Sequence, residues 1–455
     1  MTRLTRRDFL RKLGAAGALG ALSGMDALIF SGALAQAAGE DYRALVCVFL
    51  WGGNDGNNAV VPTVGNDYAA YSAIRGTLAI PAQDLVPLTT ATGTAAYGLH
   101  PQLAPLKDIW DSGAMTMLFN VGTLAEPITK AAYTSGGKRK PDGLFSHLDQ
   151  QTLWQGTGPS SLLRSGWGGR IADRLNAVNG AIPIPMVISV AGDALYITGN
   201  VTSPIAIPAA GGFSLAGAKN TASGLARRAA LDQLLTIDRE AALVKNTGGV
   251  MTRALASSGI IDPVITSDTS TIPSLFTGQG NALAKQLMQV AKLIEARASL
   301  GAKRQIFFVA LNGFDTHSGQ LGTQSALFAQ LAPALKAFYD ATVQLGVASN
   351  VTTFTLSDFG RTFQPNTDGG TDHGWGSHHF VIGGAVRGRQ FYGQYPVLAL
   401  DGPDDAGKEG RWIPTTAVDQ YAATLATWFG VSTSDLSVVV PNIGRFANAN
   451  LGFLT

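Results

Sequence analysis

Residues 44–50 read Ala44-Leu45-Val46-Cys47-Val48-Phe49-Leu50, and residues 52–58 read Gly52-Gly53-Asn54-Asp55-Gly56-Asn57-Asn58. An apolar run without alternation predicts a strand buried on both faces. The polar, glycine-rich stretch behind it predicts a loop at the strand's carboxyl end. The pattern recurs twice. Residues 304–311 (RQIFFVAL) lead into Asn312-Gly313-Phe314-Asp315-Thr316-His317, and 351–356 (VTTFTL) lead into Ser357-Asp358-Phe359-Gly360-Arg361-Thr362. Residues 114–121 and 379–385 read as two more buried strands, and 183–190 and 194–208 as strands carrying Pro and Gly, a small subsheet. Helical patterns cover 144–155, 222–246, 281–300, 324–346 and 415–429. Strands alternating with helices predict an α/β fold, a mostly parallel sheet flanked by helices on both faces. The less regular stretch 175–300 reads as an inserted cap on that core, not a separate domain.

The 455-residue chain is 46% hydrophobic and 14% charged, with 55 glycines, one cysteine and a formal net charge of +2. That composition excludes a disordered chain, a disulfide scaffold and a strongly basic nucleic-acid binder. Cys47 lies inside the first strand and reads as a small buried residue.

Residues 1–37 read as an address. Thr5-Arg6-Arg7-Asp8-Phe9-Leu10-Arg11-Lys12 is a twin-arginine run, followed by an apolar Ala/Gly/Leu-rich stretch to Leu34 and the small-residue sites Ala33-Leu34-Ala35 and Ala35-Gln36-Ala37. Its five basic residues outnumber Asp8 and Asp26 and give the segment a net +3, which leaves the remainder of the chain near −1. The expected mature domain is 38–455, delivered to the periplasm or secreted by the twin-arginine translocation machinery. No later apolar run reaches 18 residues, so no transmembrane segment is expected in the mature protein.

Three strands end at acids: Asp55, Asp315 and Asp358. Ligands bind outside the carboxyl ends of parallel strands. Carboxylates brought together there repel unless a cation lies between them, at a cost of a few kcal/mol for charges ~4 Å apart. Of six histidines, His317 follows Asp315 by two residues and His373 follows Asp372 in a glycine-rich loop. Carboxylate with imidazole suits zinc, manganese or iron better than calcium. The alternatives are an Asx turn at Asp55, a surface turn at Asp315 and an ion pair between Asp358 and Arg361. His378 and His379 point to opposite faces of a strand, and His100 reads as structural. Ser146 opens a helix, where it serves either as a nucleophile beside a metal or as a helix cap. His147 beside it reads as surface or supporting. Arg361 either clamps an oxyanion or pairs with an acid.

The twin-arginine start, FLWGGNDGNNAVVP at 49–62, NVGTL at 120–124, LFSHLDQQ at 144–151, GFDTHS at 313–318, SDFGRT at 357–362 and GTDHGWGSHHFVIGGAV at 370–386 resemble the exported bacterial family called domain of unknown function 1501. That family is similar in fold to the alkaline phosphatase and sulfatase superfamily. The resemblance implies Asp55, Asp315, His317, Asp358 and His373 as metal ligands and Ser146 at the nucleophile position. Three departures stand out: Phe359 follows Asp358 where phosphatases often carry histidine, the Asp315–His317 gap is short, and no sulfatase-type cysteine nucleophile is present. The expectation is a metal-dependent hydrolase of phosphate or sulfate esters with zinc, manganese or a similar ion. Its substrate would be a small or polymeric anion, with no nucleic-acid partner, and Arg361 would steady the anionic group. The alternative is a non-catalytic envelope binding protein on a remodelled fold.

Overall fold

Leu45, Cys47 and Phe49 project from one face of the first strand, Val46, Val48 and Leu50 from the other, and all six are buried. A computed structural model describes residues 41–455 except 159, 183, 215–220 and 238–239. The proposed export signal, 1–37, lies outside the described residues. Arg43–Thr455 forms one compact unit.

In chain order the strands are β1 (Arg43–Trp51), β2 (Val60–Pro62), β3 (Val86–Leu88), β4 (Tyr97–Leu99), β5 (Met115–Gly122), β6 (Val187–Ser189), β7 (Ile205–Ala206), β8 (Arg304–Asn312), β9 (Val351–Ser357), β10 (Ser377–Ile382), β11 (Phe391–Tyr392) and β12 (Thr416–Ala417). The main sheet has the order β11-β5-β10-β9-β1-β8-β6-β7, with β12 also paired to β5, and β2-β4-β3 form a small antiparallel sheet. In the main sheet β10 alone runs antiparallel to its neighbours. The expected mixed α/β fold with a mainly parallel sheet is what the chain adopts.

The principal helices are α1 (Gly65–Arg75), α2 (His147–Gly156), α3 (Trp167–Leu175), α4 (Ala222–Leu234), α5 (Ala242–Ile265), α6 (Ala282–Glu295), α7 (Gln320–Gln344) and α8 (Val418–Phe429). Leu45, Cys47 and Phe49 share a core with Trp167 and Ile171 of α3 and Tyr421, Ala422 and Leu425 of α8. Each large apolar side chain buried there contributes roughly 1.5–3 kcal/mol.

Two regions differ most from the sequence expectation. The Pro- and Gly-bearing stretch 183–208 yields only the short β6 and β7, because proline removes a ladder donor and glycine weakens strand interiors. These two strands extend the main sheet instead of forming a subsheet. The helix expected over 222–246 stops at Leu234, and α5 begins at Ala242. No helix among the described residues is long and apolar enough to cross a membrane.

Register sets the site. Trp51 pairs with Asn312 of β8, and Leu50 pairs with Ser357 of β9, so three strands finish at one level. Ser377 at the start of β10 pairs with Val121 near the end of β5. The loops carrying Asp315, Asp358 and His373 therefore emerge on one edge.

Candidate metal centre

Gly52 occupies the middle of that edge. Its φ is +113°, a value that L side chains rarely adopt, and a Cβ there would lie 2.3 Å from the Asp315 nitrogen. Its N–H donates to Asp358 Oδ1 at 3.1 Å, and its carbonyl accepts from Arg361 Nη1 at 3.2 Å. The loops after β9 and before β10 are zipped together: Gly360 N–H donates to the Trp375 carbonyl, Gly374 N–H to the Gly360 carbonyl and Thr362 N–H to the Asp372 carbonyl. This pairing sets Arg361 across from His373.

Three imidazoles meet at Asp315. His317 Nε2 and His373 Nε2 lie 3.1 and 3.3 Å from Asp315 Oδ1, and His147 Nε2 lies 3.4 Å from Oδ2. One ligand atom each from His147, Asp315 and His373 falls within 4.8 Å of the other two. His317 Nε2 is 2.9 Å from His373 Nε2.

The other ring nitrogens are all committed. His147 Nδ1 sits 2.7 Å from Asp358 Oδ2, His317 Nδ1 is 2.9 Å from Asp372 Oδ1, and His373 Nδ1 is 2.7 Å from the Phe145 carbonyl. A carbonyl and a carboxylate only accept, so each Nδ1 carries the proton. In the neutral rings each Nε2 is then a lone pair. His147 Nε2 is buried without a hydrogen-bond partner. Metal-ligating histidines are held in this manner, with the distal nitrogen donating to a carboxylate or a backbone carbonyl.

Charge points the same way. Asp315, Asp358 and Asp372 lie within reach of the three rings, and Arg361 bonds Asp315 Oδ1 at 2.8 Å. With neutral rings the formal local charge is −2, which a divalent cation cancels. Burial pushes Asp315 up, yet the hydrogen bond and charge of Arg361 outweigh it and hold this carboxyl below its ordinary value. The hydrogen bond with Asp358 raises His147 against opposing burial, whereas burial lowers His373 against the Phe145 bond. His147, Asp315 and His373 offer two imidazoles and a carboxylate, with His317 beside them, a donor set that suits zinc and related ions, so the residues fit such a group.

The structure sorts the sequence candidates. Asp315, His317 and His373 come together. Asp358 is fully buried and departs from the expected ligand role: it accepts from Gly52, His147 and Gln151, and so holds His147 in place. Asp55 departs further. Its carboxylate forms a buried ion pair with Arg75 at the end of α1 and accepts from Gln320 and from the backbone and side chain of Asn57. It also caps the helical turn Gly56–Ala59, which is the Asx alternative. Arg361 takes the pairing alternative, since its guanidinium is spent on Asp315, Gly52 and Thr371. Ser146 is the N-cap of α2, accepting from Asp149 N–H at 3.5 Å. His100 is buried and accepts from Gln102 N–H, and burial lowers it to about 4. His378 and His379 are buried on opposite faces of β10, against Tyr395 and Trp154 respectively.

Sequence reasoning missed His147, Asp372 and Arg75. A signal for His147 was present: His147 and Gln151 are spaced i, i+4 on α2 and both reach Asp358 Oδ2 at 2.7 Å.

The sequence profile of the family described as "Protein of unknown function (DUF1501)" matches residues 42–406. The chain belongs to that family. No curated protein matches DUF1501's member here by sequence. Among solved structures, a sulfatase from Pseudoalteromonas sp. is similar with 9% identity and a TM-score of 0.34, covering 89% of this chain and 70% of that one. The lipoteichoic acid synthase LtaP from Listeria monocytogenes is similar with 8% identity and a TM-score of 0.33, covering 88% and 74%. Alkaline phosphatase from the Antarctic bacterium TAB5 is similar with 12% identity and a TM-score of 0.26, covering 75% and 90%.

Proposed function

We propose that this DUF1501 protein is a metal-dependent hydrolase of phosphate or sulfate esters, exported by the twin-arginine route to the periplasm or beyond. The observation that carries the metal reading is the convergence of three Nε2 lone pairs on Asp315 with every Nδ1 already engaged. His147, Asp315, His317 and His373 would hold one divalent ion. When bound, such an ion supplies Lewis acidity and stabilises charge developing on an ester oxygen. The chain's own residues fix the geometry: Asp358, Asp372 and the Phe145 carbonyl set the rings, and Arg361 orients Asp315. The side chains of Asp315 and His317 are each 45% exposed, so an anionic ester group can reach them from solvent. Ester hydrolysis, within this reading, rests on an open, cation-attracting site of oxygen and nitrogen donors.

The test is metal analysis of the folded protein, then a panel of phosphate and sulfate esters after reconstitution with zinc or manganese. Stoichiometric metal with turnover that chelation abolishes supports the proposal. Metal-free protein that neither takes up metal nor turns over esters rejects it. The second reading, a metal-holding binding protein without catalysis, is favoured by the commitments of Arg361 and Ser146. Stoichiometric metal with no turnover across the panel selects it.

A further inference from the structure

The three rings are not held alike. At Nδ1, His147 and His317 each meet a carboxylate, but His373 meets only the neutral carbonyl of Phe145. That carbonyl belongs to a residue with φ +73°, a left-handed conformation that bulky side chains rarely adopt. A backbone in such a region persists only where its surroundings over-determine it. One side chain touches both ends of this contact. Arg411 Nε donates to the His373 carbonyl at 2.8 Å, and its guanidinium carbon lies 5.0 Å from the centre of the Phe145 ring.

Arg411 is itself tightly placed. Asp405 is fully buried and accepts four backbone N–H groups, from Asp401, Gly407, Gly410 and Arg411, at 2.9–3.0 Å. The Ala406 N–H donates to the Arg411 carbonyl at 2.9 Å. Glu409 pairs with Arg411 Nη1 at 2.6 Å, which leaves Nε directed at His373. The loop 401–411 thus holds one guanidinium at a fixed place between the Phe145 ring and the His373 backbone.

We propose that Arg411 is a positioning residue of the metal centre, which locks His373 Nε2 toward the ion by clamping the Phe145 carbonyl against His373 Nδ1. The proposal rests on the metal reading above. Arginine suits this better than lysine, which carries the charge but has neither the planar face for Phe145 nor an Nε donor at the same height.

The experiment uses the full mature chain as wild type, Arg411→Ala, Arg411→Lys, His373→Ala and the double variant Arg411→Ala/His373→Ala. Each is stripped of metal and titrated with Zn²⁺ by calorimetry and with Co²⁺ by visible absorption, and each metal-free protein is melted. Loss of a group that orients a ligand weakens metal binding by about 10–100-fold. The expected result is a loss of that size in Arg411→Ala with an altered Co²⁺ spectrum, partial recovery in Arg411→Lys, and a metal-free melting temperature near wild type. In the His373→Ala background, Arg411→Ala should cost no further affinity. Wild-type affinity and spectrum in Arg411→Ala would overturn the proposal, as would an equal further loss in the His373→Ala background. Should Arg411→Ala fail to fold, Arg411→Lys decides alone: unchanged affinity and spectrum overturn the proposal, weakened binding supports it. If wild type binds neither ion, the metal reading itself fails, an outcome separate from failure of the Arg411 role.

Discussion

His317 and His373 bring their Nε2 atoms to 2.9 Å of each other while the opposite nitrogen of each ring is held by an acceptor. Two facing lone pairs at that separation repel unless a cation lies against both. The contact is stable with an ion or with a proton, and the choice between them depends on pH.

Removing His147 should expose the asymmetry of the site. His147→Ala deletes a proposed ligand, and Asp358→Asn only loosens the ring that carries it. Zinc affinity should fall in both, further in His147→Ala, with a loss of about 10–100-fold in Asp358→Asn. Calorimetric titration checks the ranking. A larger effect from Asp358→Asn would mean that Asp358 contacts the ion itself.

Protons compete with the ion for Nε2. The Asp358 hydrogen bond raises His147, so His147 takes up its proton at a higher pH than an ordinary histidine. As pH falls, apparent zinc affinity should therefore start to weaken at a higher pH than it would if that ring had no carboxylate partner. Asp358→Asn withdraws that support, so affinity at high pH should drop while its pH dependence sets in at a lower pH. Zinc retention measured against pH in both proteins checks the direction.

Asp55 and Ser146 make a contrasting pair. Asp55→Asn should leave metal stoichiometry unchanged, yet it strips the buried Arg75 of its counter-charge and should cost about 3–5 kcal/mol of stability. Ser146→Ala removes a helix cap and should cost about 1 kcal/mol, with metal content and any turnover retained. Denaturant melts beside metal analysis separate the two effects. Loss of an ion in Asp55→Asn would show that Asp55 belongs to the centre after all.

Asp419, buried near the start of α8, gives a stability test away from the histidine cluster. Burial raises its carboxyl to about 7, with Arg170 pulling the other way. Its unfolded value is about 3.9. The folded protein therefore holds a proton that the unfolded chain releases. This contribution is fully present below about pH 4 and is lost as pH rises through about 7. Asp419→Asn should raise the melting temperature above pH 7 and change it little near pH 4. An equal shift at both pH values would exclude a titrating Asp419 as the cause.

The framework was legible in the amino-acid order because β1, β8 and β9 are buried on both faces and so appear as unbroken apolar runs. Their register then delivers Asp315 and Asp358 to one edge. Which acid joins the histidine cluster was not legible. That depends on guanidinium groups arriving from elsewhere: Arg75 from α1 takes Asp55, and Arg361 takes one oxygen of Asp315. Nothing in the spacing of Asp55 and Arg75 announces their meeting. The role of His147 was hidden for a related reason, since it sits on a helix and not at a strand end. β6 and β7 were overextended because their apolar residues are interrupted by Pro and Gly, which end pairing after two or three residues.

The Arg75–Asp55 pair has a consequence for biogenesis. The loop after β1 carries its counter-ion within the polypeptide, so it can close during synthesis without drawing on the cell's metal supply. If the proposed centre takes up an ion, loading would then be a late event at an open rim, after a nascent chain has completed its scaffold.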